Sequence, residues 1–472
     1  MMIRLQFGLL LAAATLALSG CANFAPDHVR PELSSAPAYD AEMAPDGTVT
    51  ASQLSYRDWF TDPRLDALIA SALANNRDLV AATARIEQAR AQYRIQRSDR
   101  LPTVAADGSA TRTRTGVSNI SGMQTDPFTL DRYDVGVGVT GFELDFWGRV
   151  ANLSEAARAQ YLATVAAQRS FYLSLVRDTA TTYFEILETE EQIALAEATA
   201  QSRREGLRIA QRRLDAGVTS ALPFRQAETL LTQAEQQLAS EKLAGAQLRN
   251  QLAVLVGGTI PVDLPAGQPL TQQFDARRLD AGLPSDLLLA RPDIVAAEEQ
   301  LRAARANIGA ARAAFFPTIS LTGSAGFTSN DLSDLFSSDS LGWSFGPSIS
   351  LPIFDFGARE ANLDLAKAME VEEVANYDLA VQTAFREVAD ALAARRYLAE
   401  QVATLDRAVT AQEKIARIAR LRYREGVADY LEVLDAERNL FEARQLLIAT
   451  RRAELQNRAS LFVALGGGFG PL

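Results

Sequence analysis

Two kinds of periodicity divide this chain. After Pro317 the sequence alternates, with Ile319, Leu321, Ala325 and Phe327 on one side of an extended backbone and Thr318, Ser320, Thr322, Ser324 and Thr328 on the other. A second run repeats the pattern, setting Leu341, Trp343, Phe345, Ile349 and Leu351 against Gly342, Ser344, Gly346, Ser348 and Ser350. Earlier in the chain Tyr133, Val135, Val137 and Val139 alternate with Asp134, Gly136, Gly138 and Thr140, and residues 103–115 follow more weakly. These runs predict strands over about 102–115, 131–145, 317–329 and 341–353.

Around the strands the period becomes helical. Asp62-Pro63 reads as an N-cap followed by proline at the first helical position, opening a helix through Leu65, Leu68, Ile69 and Leu73. Pro102 and Pro317 end the helices that precede the strands. Farther on, Tyr377, Val381, Ala384, Val388, Ala391, Leu398, Val402, Leu405 and Val409 keep a three-four spacing that only Arg395 breaks. No proline falls within 358–424, which predicts one helix about 100 Å long at 1.5 Å per residue. A counterpart is expected over 149–215, with return helices over about 222–256 and 430–465. An ordinary coiled coil explains the alanine-rich packing faces equally well, so the strands must separate the two readings.

The chain is also duplicated. Shifting it by 215 positions lays Asp78–Ala110 over Asp293–Ala325 with 13 of 33 residues identical. Unrelated segments of this composition share about two or three. At an offset of 210, Asp145-Phe146 to Leu153 matches Asp355-Phe356 to Leu363, including Arg149 with Arg359 and Asn152 with Asn362. At an offset of 209, Gly217-Val218 matches Gly426-Val427. The expected organisation is a signal peptide over 1–20, a linker over 21–61, a first repeat over 62–258, a connection over 259–283, a second repeat over 284–467 and a tail over 468–472. The proline-rich composition of 22–61 gives no reason to expect a core there.

Each copy holds one strand pair, and four strands do not close a barrel, so several chains around one axis are expected. A face of Ser, Thr and Gly opposite a face of Leu, Ile, Phe and Trp suits a wet lumen and a lipid exterior, and about eleven tilted residues span an outer membrane. Tyr133, Val135, Val137, Val139, Ile319, Leu321, Phe327, Trp343, Phe345 and Ile349 are then the membrane-facing positions. The alternative is a half-buried hairpin in a soluble sandwich. Residues 116–130 and 329–340 read as external loops. The fold class is mainly α with a membrane β-barrel portion.

Composition narrows the chemistry. A net charge of −11 disfavours nucleic acid, which needs a basic stripe. His28 is the sole histidine, which removes histidine triads and histidine-ligated metal sites. Gly136-Val-Gly138-Val-Thr-Gly141 fits a dinucleotide pattern but lies inside an alternating strand. No catalytic constellation, metal site or cofactor is expected. Cys21, the only cysteine, follows the apolar stretch Leu5–Leu18 and the small pair Ser19-Gly20. Leu18-Ser19-Gly20-Cys21 resembles a lipoprotein lipobox, which implies acylation of Cys21, and Ala22 after it resembles the outer-membrane sorting choice; an ordinary secretory signal is the alternative.

The two turns gather the remaining chemistry. Arg213, Asp215, Gly217 and Val218 form one, and Tyr423, Arg424, Gly426, Val427, Asp429 and Tyr430 the other, each glycine standing where a left-handed cap is wanted. If several chains converge there, Asp215 or Asp429 becomes a ring of carboxylates able to constrict a cation path. Salt bridges and tyrosine hydrogen bonds among these residues would hold that end shut. Solvated cap residues are the alternative.

Leu18-Ser19-Gly20-Cys21, Arg291-Pro-Asp-Ile294, Ile308 to Pro317, Leu351-Pro-Ile-Phe354 and Tyr430-Leu-Glu-Val-Leu-Asp-Ala-Glu-Arg438 together resemble the TolC-like outer membrane factors, and most of all their NodT-type efflux lipoprotein branch. The resemblance covers essentially the whole mature chain. It implies a homotrimer in the outer membrane, with twelve strands in one β-barrel and the helices in an α-helical barrel across the periplasm. It also implies turns near Gly217 and Gly426 that face a periplasmic adaptor coupled to an inner-membrane pump. The chain would then be a passive efflux conduit, with no enzyme activity and no cofactor. Ala428 stands where relatives often carry Asp directly after the Gly-Val of the second turn, which leaves Asp429 as a displaced candidate. A polypeptide-secretion duct has the same physics, and a periplasmic adaptor lipoprotein is the remaining alternative.

Overall fold

The computed structural model describes residues 23–31, 49–50, 55–116, 118–120, 123–125, 127–273, 279–280 and 291–467. Cys21 and the apolar stretch before it lie outside the described residues, as do 281–290 and 468–472.

The duplication is visible element by element. Helix α1 (Pro63–Asn75) precedes the first copy, which runs α2 (Arg77–Ser98), β1 (Val104–Thr115), β2 (Phe128–Glu143), α3 (Arg149–Asp215) and α4 (Ala221–Leu255). The second copy runs α5 (Pro292–Ala313), β3 (Thr318–Ser329), β4 (Leu341–Ser350), α6 (Ala358–Arg424) and α7 (Tyr430–Ala464). Corresponding helices have equal lengths: 22 residues for α2 and α5, 67 for α3 and α6, and 35 for α4 and α7. Helix is continuous through α3 and α6, so the one-residue difference between the copies is taken up without a break, as a change of helical phase of about 100°.

The chain forms two compact units. The first gathers Ile86–Thr164, Ala296–Tyr377 and the described part of Met1–Glu32. It contains a four-stranded sheet in the order β1-β2-β3-β4, antiparallel throughout. Beyond the sheet, each long helix starts at an aspartate. Asp145 accepts from the amide of Ala151 at 2.7 Å, and Asp355 accepts from the Arg359 amide at 3.2 Å and from its Nε at 2.6 Å. These carboxylates satisfy free donors at positive helix ends, which accounts for the aspartate of the duplicated Asp-Phe motif.

Residues 23–31, part of the expected linker, are docked in this unit. Phe24 stacks on Phe316 at 4.7 Å, and Trp147 stacks on Phe316 at 4.9 Å. His28 Nε2 and Arg30 Nε lie 3.0 and 3.1 Å from a Glu298 carboxylate oxygen, while Arg305 donates to the Val29 carbonyl at 2.7 Å. A linker composition lacks an apolar period of its own, but single aromatic and charged residues still bind a preformed helix face.

The second unit gathers Leu33–Arg85, Val165–Val295 and Asp378–Leu472. Here too the linker expectation fails, for residues 55–61. Ser55 and Asp58 form a capping box on a single helical turn, Tyr56–Trp59, and Phe60 packs its ring against Phe184 and Phe462. Asp62, fully buried, caps α1 through Arg64 N and accepts from the Tyr183 hydroxyl at 2.8 Å, Gln268 N at 2.9 Å and Gln273 Nε2 at 2.8 Å. Burial pushes the Tyr183 hydroxyl far up, and the Asp62 carboxylate adds to it. At the far ends of the return helices the copies use different residues for one task. Asn76 Nδ2 donates to the Leu255 carbonyl, and Arg291 Nη1 donates to the Ala464 carbonyl, both at 3.0 Å. Arg291 is buried and also pairs with Asp293 and Glu387 at 2.6 and 2.7 Å, which gives the Arg-Pro-Asp motif a structural role.

Candidate functional site

The sheet sorts its side chains as the alternation predicts. Across β3 and β4, Ile319 faces Ile349, Gly323 faces Phe345, Ala325 faces Trp343 and Phe327 faces Leu341. On the opposite face Ser320 and Ser324 exchange hydroxyl hydrogen bonds with Ser348 and Ser344, at 2.7 and 2.8 Å. The apolar face continues into β2, where Val135 and Val137 lie opposite Phe327 and Ala325, and into β1, where Val104 and Ala106 lie opposite Val139 and Val137. Tyr133 sits on this face beyond Val135, and Leu321 faces Phe142 past a bulge. Within the bulge Gly141 adopts φ +64° and donates its amide to the Thr322 hydroxyl at 3.1 Å. The dinucleotide-like glycine pattern is therefore strand and bulge, not a phosphate loop. Trp343 is 80% exposed, and Phe345 and Ile349 are similarly bare. Among the described residues β1 and β4 each pair with one neighbour only, so both sheet edges are open.

In the second unit both long helices end in the same backbone device. Gly217 and Gly426 adopt φ +69° and +76°, and Val218 N and Val427 N donate back to the Arg213 and Arg422 carbonyls at 3.0 Å. This is the six-to-one closure that a left-handed C-terminal residue permits. The side chains differ. Asp429 caps α7 through the Tyr430 amide at 2.7 Å, and Arg422 bridges to Glu432 at 2.9 Å. Asp215 accepts from Gln211 at 2.7 Å, four residues back on its own helix. Arg213 carries its guanidinium over the Tyr423 ring at 4.8 Å, and Tyr423 packs on Tyr430 at 5.0 Å and 52°. A cation–π contact and a tilted aromatic pair therefore join the two turns. Arg424 lies 3.6 Å from Glu425, while Val218 and Val427 are exposed. Burial pushes the Tyr430 hydroxyl up to about 12, with Tyr423 and Glu437 adding to the rise and Arg203 opposing it.

The outer membrane efflux protein family profile matches residues 68–258 and 283–467, one block for each copy. The chain belongs to this family. Among its relatives, the solvent efflux pump outer membrane protein SrpC of Pseudomonas putida is 43% identical over 461 residues, covering 97% of each chain. The cation efflux system protein CusC of Escherichia coli (strain K12) is 39% identical over 458 residues, covering 96% of this chain and 97% of the relative. The open state of the Neisseria gonorrhoeae MtrE outer membrane channel matches with a TM-score of 0.84 at 40% identity, over 95% of this chain and 98% of that one. A CusC crystal structure gives a TM-score of 0.84 at 38% identity, over 95% of this chain and all of that one. This member of the outer membrane efflux family thus shares the duplicated, mainly helical fold with four strands per chain.

Of the tip residues the structure brings Arg213, Tyr423, Tyr430 and Asp429 together and leaves Asp215, Val218, Arg424 and Val427 apart from them, and it keeps the strand positions on one continuous face. Sequence reasoning missed Arg203, which is buried in the second unit and donates to the Leu230 carbonyl at 2.8 Å. An arginine on a helix reads as a solvated position, and no local signal marks this one as enclosed.

Proposed function

We propose that the chain is the outer membrane channel of a tripartite efflux pump, exporting small molecules passively. Three copies pair their open β1 and β4 edges to close twelve strands into one barrel, with the apolar face toward lipid and the Ser, Thr and Gly face toward water. Acylated Cys21 anchors each chain. The turns at Gly217 and Gly426 face the periplasm, where an adaptor docks and an inner-membrane pump supplies the energy. The conduit needs no catalytic residue and no cofactor.

One observation carries this reading: a four-stranded sheet with two open edges, one apolar face and one hydroxyl-bearing face. Its named relatives move unlike cargo, solvents in one case and cations in another, which favours selection upstream of the duct. The contact of Arg213 with Tyr423, and of Tyr423 with Tyr430, supports a role for these residues in holding the periplasmic end shut.

Deletion of the gene should raise cellular accumulation of a small lipophilic drug, and the wild-type gene should restore it. Unchanged accumulation, together with loss of a secreted polypeptide, would instead favour the protein-secretion duct. Detergent-extracted protein should have the mass of three chains, and a monomer would overturn the barrel. In planar bilayers Arg213→Ala and Tyr423→Ala should open the channel more often than Asp429→Ala. Equal gating in all three would move the gate elsewhere.

A further inference from the structure

Between the ends of α3, α6 and α7 lies a groove of about 700 Å³, within the range of small-molecule sites. Its apolar wall comes from Ile209, Leu230, Leu421, Val433 and Leu434, with the rings of Tyr423 and Tyr430. Its charge is unbalanced, because five arginines line it (203, 213, 417, 420 and 424) against two carboxylates, Glu205 and Glu437. Glu205 is bonded to Arg208, and Glu437 lies 3.1 Å from Arg420 with its buried Oε1 making no hydrogen bond, while Arg424 lies 3.6 Å from Glu425, so the cationic excess rests on Arg203, Arg213 and Arg417. Arg203 is the telling residue. It is 8% exposed, and its Nε is a buried donor with no hydrogen-bond partner. Burial lowers its pKa, partly offset by Glu437 and Tyr430, so the site holds its charge at a cost that a bound anion would relieve.

We propose that this groove is a binding site for a small amphiphilic organic anion, with its carboxylate or sulfonate on Arg203 and Arg417 and its apolar body against Ile209, Leu421 and Leu434. Guanidinium donors in one groove select an oxyanion, and the aliphatic and aromatic wall selects a hydrophobic body over inorganic phosphate or a sugar acid. The site goes beyond the conduit and stands whether or not the turns form the gate.

The test uses the full chain, assembled in lipid nanodiscs, titrated calorimetrically with naphthalene-2-sulfonate against empty nanodiscs. Saturable binding of one molecule per chain is expected. Arg203→Met and Arg417→Met should each weaken it at least tenfold, and neutral 2-naphthalenemethanol should bind at least tenfold more weakly than the sulfonate. Should Arg203→Met fail to assemble, Ile209→Trp fills the apolar half without touching charge and should abolish binding at an unchanged melting temperature. Arg451→Met, paired with Asp406 outside the groove, should bind as wild type does. Non-saturable uptake, equal affinity for the neutral compound, or wild-type affinity in Arg417→Met and Ile209→Trp would each overturn the proposal.

Discussion

The turns after α3 and α6 share a backbone and differ in what holds them. Both place glycine at positive φ and close the same six-to-one hydrogen bond. At the second turn Asp429 caps the return helix, Arg422 reaches Glu432, and Tyr430 is buried against Val433, Leu434 and the alanine face of α6. At the first, Ser220 makes no side-chain cap bond, and Ala221 stands exposed where the second copy has Tyr430. Duplication has conserved the device that reverses the chain, while the side chains have specialised. The second turn is the braced element, and the first is joined to it by Arg213 on Tyr423 and by Ala210 and Ala227, which share a buried cluster with Tyr430 and Val433.

Removing the brace should have the largest effect. Tyr430→Ala empties a buried aromatic site and should cost about 3 kcal/mol, roughly a hundredfold in amide exchange at the second turn. Ala221→Gly should cost under about 1 kcal/mol, and comparable exchange in the two variants would erase the contrast. Next comes pH. The folded hydroxyl of Tyr430 sits near 12, above the ~10 of an unfolded tyrosine, so its contribution is complete below about pH 10 and is lost as pH rises toward 12. A tyrosinate absorbance titration should show a group titrating near 12 that Tyr430→Phe removes, while the still later Tyr183 persists in that variant; an unchanged titration in Tyr430→Phe would refute the burial. Gly217→Ala and Gly426→Ala should each cost about 1–2 kcal/mol, because the strain belongs to the shared φ. Thermal melts that differ by many degrees between these two would show that the side chains govern the turns after all. Smallest is the cap: Asp429→Ala should lose about 1 kcal/mol and Ser220→Ala almost nothing, read from proteolytic cleavage rates beside each turn.

Much of the fold was legible because its signals are local. The three-four spacing over 377–409 and the proline-free stretch 358–424 predict one long helix, the duplication predicts its counterpart over 149–215, and helices occupy Arg149–Asp215 and Ala358–Arg424. Strand faces followed from alternation, since period-two patterning fixes which side chains share a surface before any partner is known. The strand ends were less legible: the run expected over 131–145 begins at Phe128 and stops at Glu143, and Leu144 still donates its amide to the Ile319 carbonyl at 2.8 Å beyond the last paired residue. Within the expected linker, Phe24, His28 and Phe60 dock singly against surfaces made by residues far along the chain, which no local pattern records.

The sequence by itself determined the inventory: a duplicated set of long helices, glycine-closed turns and two-faced strands. Each of these is written in spacing, caps and side-chain type within a few residues. Only the tertiary structure decided which groups meet, placing Arg213 over Tyr423 and enclosing Arg203 beside Leu230. Over a 67-residue helix a single-residue skip turns every later side chain by about 100°, so the face a distant arginine presents depends on packing that no local pattern records.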